Sequence, residues 1–163
     1  MGSTSIVEIA SLIHAKIDGN SVVSVSGVSL DSNKITRGEL FAALPGRNAH
    51  GAQFAEQAIS RGANAILTDP VGLAALQQTE AIIDIPILCV DQPREHLGEV
   101  CKLVFENPSA DMLLLGVTGT NGKSTTTSMI YQAARAQGLK AGLIGTLATV
   151  INGEAVSNIR TTP

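Results

Sequence analysis

Apolar residues recur at two distinct periods along this chain, and the switches between them mark out its elements. Ile6, Ile9, Ala10 and Ile13 repeat at helical spacing behind Ser5, a residue suited to capping, and Gly19 supplies a stop. Over residues 22–30 small polar and β-branched residues alternate, the period-two signature of a half-buried strand. Turn residues fill 31–38. The pattern then predicts strands over 40–44, 65–67 and 85–90, and helices over 53–60, 71–77 and 94–105. Strands and helices in this alternation predict a small α/β domain with a mixed sheet.

Asn107-Pro108-Ser109 breaks the last helical run, because proline cannot continue a helix and biases its predecessor to extended backbone. A domain boundary is placed there, giving 1–106 and 107–163. The second part reads as strand 112–118, a glycine-rich turn, helix 124–137 stopped by Gly138, and strand 140–146, the βαβ start of a parallel-sheet domain. Asn152-Gly153, between Val150-Ile151 and Ala155-Val156, signals a two-residue hairpin. Two parallel strands and one helix do not make a covered parallel sheet. The expectation is therefore a fragment of a longer protein. The alternative is a small protein whose edge strands pair with a partner chain.

The turn between strand 112–118 and helix 124–137 carries the chemistry: Gly116-Val117-Thr118-Gly119-Thr120-Asn121-Gly122-Lys123-Ser124-Thr125. A polyphosphate needs many converging backbone N–H groups, and a Cβ obstructs that approach, so Gly119 and Gly122 open the cradle. The helix that follows offers its unpaired first-turn N–H groups and the positive end of its dipole. Lys123 adds a charge for the outer phosphates, and the Ser124 hydroxyl is placed to ligate the accompanying Mg²⁺. Val117 stands where the strict phosphate-loop pattern has its first glycine. The loop predicts binding of ATP or GTP through residues 119–125.

Composition removes other classes. A 44% hydrophobic content across 163 residues is ample for a core, whereas the aromatic residues are only Phe41, Phe54, Phe105 and Tyr131, and the net charge is −3. Neither base stacking nor a basic face for a nucleic-acid backbone is available. Cys89 and Cys101 lack metal-ligand spacing and read as reduced, buried thiols. With no secretory leader and no apolar run of membrane-spanning length, the sequence predicts a soluble cytoplasmic protein.

Together these residues suggest a family. Gly119-Thr120-Asn121-Gly122-Lys123-Ser124-Thr125 resembles the ATP loop of the Mur ligases, ATP-dependent amide-forming enzymes of peptidoglycan synthesis. Leu30-Asp31-Ser32, then Arg37 to Gly46, Gly51, Phe54, Ala58 and Gly62-Ala63 resemble the amino-terminal UDP-binding domain of the two members that add the third amino acid and D-alanyl-D-alanine. The Thr-Asn-Gly-Lys loop and the terminal Arg160-Thr161-Thr162-Pro163 are closer to the member that extends UDP-N-acetylmuramoyl-L-alanyl-D-glutamate with diaminopimelate or lysine. Ser124 in place of threonine and Asn33 in place of arginine depart from it.

The resemblance implies that Leu30 and Ser32 line the uracil and ribose site, with Arg47, Asn48 and Ala49 closing over the nucleotide. It further implies that Thr161 and Thr162 meet the muramoyl-peptide part, and that Lys123 supports phosphoryl transfer from ATP with Mg²⁺ on Ser124. In the family's reaction ATP phosphorylates the D-glutamate carboxylate and an amine displaces the phosphate. A monomer with UDP-dipeptide and an amino acid as substrates is implied for the full-length protein, and the chain alone is expected not to ligate. Three bland readings stand beside these: Asp31 and Ser32 as turn hydrogen-bonders, Arg47 as a solvated charge and His50 as a loop residue. Two other classes also remain: a nucleotide-binding module without chemistry, and a different enzyme using the loop, such as a phosphotransferase or a folylpolyglutamate or cyanophycin ligase.

Overall fold

A computed structural model of the chain describes residues 2–79, 85–146 and 148–156. They form two compact units, Met1–Met112 and Leu113–Pro163.

The first unit is a five-stranded mixed sheet with helices on both faces. Its strands are β2 (Lys16–Asp18), β4 (Val28–Ser29), β5 (Leu40–Ala42), β6 (Ala65–Thr68) and β7 (Ile87–Cys89), in the spatial order β2-β7-β6-β5-β4. Strands β4 to β7 are parallel, and β2 pairs antiparallel with β7 at one edge. The side-chain alternation of a strand sorts the core into two layers. Leu40, Leu67 and Leu88 share one layer with Ile6, Ile9, Ile13, Val100 and Val104 of helices α1 (Ile6–Ile13) and α4 (Pro93–Val104). Phe41, Ile66 and Ile87 share the other with Ala55, Ala58 and Leu76 of helices α2 (Ala55–Ser60) and α3 (Pro70–Leu76). Burial on both faces is why these strands read as unbroken apolar runs.

Ser5 caps α1 as expected. Its Oγ accepts from Val7 N–H at 3.2 Å, and the Glu8 carboxylate accepts from Ser5 N–H at 3.3 Å. The helix ends at His14, whose backbone is left-handed (φ 53), well before Gly19. The freed residues form β2, which the sequence pattern did not predict. The expected strand over 22–30 is two short ones. Ser24–Val25 (β3) pairs with Thr4–Ser5 (β1), and β4 pairs with β5. Gly27 lies between them, and a Cβ there would meet Glu39 at 2.9 Å.

The second unit departs further from the predicted βαβ arrangement. Helix α5 (Lys123–Ala136) forms, but residues 112–118 are not a strand, and Leu113, Leu114 and Leu115 are exposed. The predicted strand over 140–146 is reduced to β8 (Gly142–Ile144), which pairs antiparallel with β9 (Thr149–Ile151). A strand exists only by pairing, and no described strand lies beside 112–118. The Asn152-Gly153 hairpin does form, joining β9 to β10 (Glu154–Val156) with positive φ at both turn residues.

Candidate functional site

In the second unit the glycine-rich loop is open to solvent from Thr118 to Lys123. Gly119 and Gly122 have φ of 143 and 80, values that side chains with a Cβ rarely adopt. A Cβ on Gly122 would meet nothing within 4 Å, so backbone conformation and the open mouth, not crowding, require glycine there. Gly122 caps α5 without any side-chain hydrogen bond, and the first helical bond is Thr126 N–H to Gly122 O at 2.9 Å. The N–H groups of residues 119–125 consequently donate to no acceptor among the described residues. Lys123 Nζ folds over this loop, donating to Gly119 O at 2.5 Å and Thr120 O at 3.4 Å. A cation held among free N–H groups at a helix N-terminus is an arrangement that receives an anion.

The Ser124 hydroxyl lies on the first turn of α5, 3.4 Å from Thr146 Oγ1. It would supply one oxygen to a Mg²⁺ that accompanied a bound polyphosphate. No cluster of three or more His, Cys, Asp or Glu side chains that could hold a metal occurs among the described residues.

In the first unit Leu30 and Ser32 follow β4, and Arg47, Asn48 and Ala49 follow β5, so adjacent parallel strands deliver both groups to the same end of the sheet. In open α/β sheets this carboxyl end is where ligands bind. Leu30 is half-buried and Ser32 buried, whereas Arg47 and Asn48 are exposed at the loop tip. The Ser32 hydroxyl donates to Gln57 Oε1 at 2.6 Å, and Gln57 Nε2 donates to Asn33 Oδ1 at 3.0 Å. Asp31 closes its own turn, Oδ1 accepting from Asn33 N–H at 3.0 Å. Thr161 and Thr162 lie outside the described residues.

Sequence reading missed the partners of this end of the sheet. His50 Nδ1 accepts Ala52 N–H at 3.0 Å, and Nε2 lies 3.0 Å from Asp69 Oδ1, which also accepts Gly72 N–H at 2.7 Å. Gln57 and Asp69 are polar residues of no special motif, 25 and 19 positions from their partners, so no local signal marks them. A cavity of about 570 Å³ is lined by His14, Lys16, Asp18, Cys89 and Asp91 and contains none of the predicted ligand residues.

A family model described as the Mur ligase family, catalytic domain, matches residues 24–103, and one for the Mur ligase middle domain matches residues 117–163. A Streptomyces coelicolor protein named UDP-N-acetylmuramoyl-L-alanyl-D-glutamate--2,6-diaminopimelate ligase is 38% identical over the whole of this chain, which covers 31% of that protein. A solved structure carrying the same ligase name matches 94% of this chain and 30% of its own, with 27% identity and a TM-score of 0.60. The MurF ligase of Thermotoga maritima, solved in complex with ADP, matches 69% of this chain and 24% of its own at 22% identity and a TM-score of 0.50, a likeness of fold. The chain spans about a third or less of the curated relatives it matches.

Proposed function

Because the chain belongs to the Mur ligase family, we propose that it carries the nucleotide-sugar-binding and ATP-binding parts of a ligase that joins diaminopimelate to UDP-N-acetylmuramoyl-L-alanyl-D-glutamate. The observation that carries this reading is the order of the two matched domains along a chain whose curated relatives bear that ligase's name. In it, the first unit receives the UDP-muramoyl peptide through Leu30, Ser32 and the Arg47–Ala49 loop. The second unit receives ATP on residues 119–125.

When bound, ATP supplies a phosphoryl group that makes the substrate carboxylate reactive toward an amine. The chain's own contribution is electrostatic. The N–H groups of 119–125 and the Lys123 ammonium offset charge on the outer phosphates, and Ser124 holds the companion Mg²⁺. No covalent nucleophile is required of this chain. No described helix is long and apolar enough to cross a membrane. The reading places the reaction in the cytoplasm with its water-soluble substrates.

Calorimetric titration of the chain with UDP-N-acetylmuramoyl-L-alanyl-D-glutamate, and separately with ATP and Mg²⁺, tests the reading. Both ligands should bind. ATP binding with indifference to the UDP ligand would leave a nucleotide-binding module and overturn the proposal.

A further inference from the structure

The loop that presents Arg47, Asn48 and Ala49 is tied at its base by few bonds of its own. Gly46 N–H donates to Ala49 O at 3.2 Å, Gly51 N–H donates to Leu44 O at 2.9 Å, and Arg94 reaches Pro45 O only at 3.5 Å. The loop's far end is His50, and there it is fastened to the neighbouring strand's loop. Nδ1 of His50 faces the Ala52 N–H and must accept from it, so the ring proton sits on Nε2 and points at Asp69. Asp69 is itself fixed, because the same oxygen caps α3 through Gly72 N–H. The side chains of His50 and Asp69 are only 19% and 13% exposed. The space around them is full: a Cβ on Gly72 would stand 2.0 Å from Thr68 Oγ1 and 2.6 Å from His50 Cε1.

We propose that His50 and Asp69 form a latch between the loops that follow β5 and β6, and that His50 is thereby a positioning residue for the UDP moiety, holding Arg47–Ala49 in the shape that receives it. The inference rests on the UDP-binding role given to that loop above. A loop already held in its bound shape loses less freedom when the ligand arrives, so the latch acts on affinity without touching the ligand. Its partners have separable roles. Asparagine at 69 keeps an oxygen that accepts from both Gly72 N–H and His50 Nε2–H. Asparagine at 50 can still accept from Ala52 N–H but is too short to reach Asp69.

Two measurements on the same full chain test the latch. Amide hydrogen exchange is followed at Gly46, Gly51 and Ala52 without ligand, and UDP-N-acetylmuramoyl-L-alanyl-D-glutamate is titrated calorimetrically, with ATP as the control ligand. His50→Ala should speed exchange at those three amides and raise the UDP-ligand Kd, each by about tenfold, the size of one lost charge-assisted hydrogen bond. Exchange in β5–β7 and the ATP Kd should not change. Asp69→Asn should stay within about threefold of wild type on both readouts, and His50→Asn should fall between the two. Unchanged loop exchange in His50→Ala overturns the latch. Faster exchange with an unchanged UDP-ligand Kd overturns the positioning role. Loss of protection throughout β5–β7 makes the pair a general fold determinant and also overturns it. A wild-type chain that does not bind the UDP ligand overturns the underlying reading of the loop, and this inference with it.

Discussion

Gly72→Ala is the substitution whose cost the structure sets most directly. Alanine is normally the better residue inside a helix, by about 1 kcal/mol, and Gly72 lies within α3. Propensity alone therefore predicts a stabilised protein. The added methyl, however, would lie 2.0 Å from Thr68 Oγ1, 2.6 Å from His50 Cε1 and 3.2 Å from Asp69 Oδ1. Thr68 has no exposed surface, and its hydroxyl donates to Ala43 O at 2.9 Å, so it cannot swing away without leaving a buried carbonyl unpaired. Overpacking costs about 1–3 kcal/mol, and an unpaired buried acceptor about 1–3 kcal/mol. After the propensity gain, the net destabilisation is about 1–5 kcal/mol. Urea unfolding followed by far-ultraviolet circular dichroism measures it. The double variant Gly72→Ala, Thr68→Ala isolates the cause: with the obstructing hydroxyl removed, the pair should cost at least about 1 kcal/mol less than the sum of the singles. A Gly72→Ala protein as stable as wild type, or strict additivity in the double variant, would refute the steric argument.

Lys123→Ala should weaken ATP binding by about 10- to 100-fold, the worth of a charge-assisted contact, and leave UDP-ligand affinity unchanged in calorimetry, because the two groups of residues lie in different units. Ser5→Ala removes the α1 cap and should cost about 1 kcal/mol in urea unfolding. The Cys89 thiol is pushed above its ordinary range chiefly by burial, with Asp69 and Asp91 adding and Lys16 opposing, and Cys101 is pushed up by burial. The folded chain thus keeps these protons where the unfolded chain, ionising near 9.0, gives them up. Stability is insensitive to these groups below that pH and falls as pH rises through it toward the folded values. Replacing both cysteines with alanine should flatten the alkaline part of the stability profile measured by urea unfolding.

Which parts of the molecule could be read in advance follows from where their determinants lie. The α1 cap, the positive-φ Gly119 and Gly122 and the Asn152-Gly153 turn are each specified by residues within a few positions of one another, and local pattern marked all three. Strand β2 escaped because Lys16-Ile17-Asp18 has one apolar residue and owes its conformation to β7, some seventy positions away. The reverse error arose at 112–118, where strong local β preference met no neighbouring strand. The candidate site divides the same way. Lys123 and its glycines are contiguous, whereas the bonds from Ser32 to Gln57 and from His50 to Asp69 exist only after parallel strands bring their loops together. One of the bland readings describes a real bond, since Asp31 closes its own turn, whereas the cap that His50 gives the short 3₁₀ helix Gly51–Phe54 was not read in advance.

Leu113, Leu114 and Leu115 are 86%, 68% and 60% exposed, beside Met112 and ahead of Gly116, in a stretch without proline or charge until Lys123. Such a window has the makeup of segments that stack between molecules into cross-β fibrils. Storage at high concentration therefore favours precipitation seeded there, and a single lysine at Leu114 would act as a gatekeeper that keeps preparations clear.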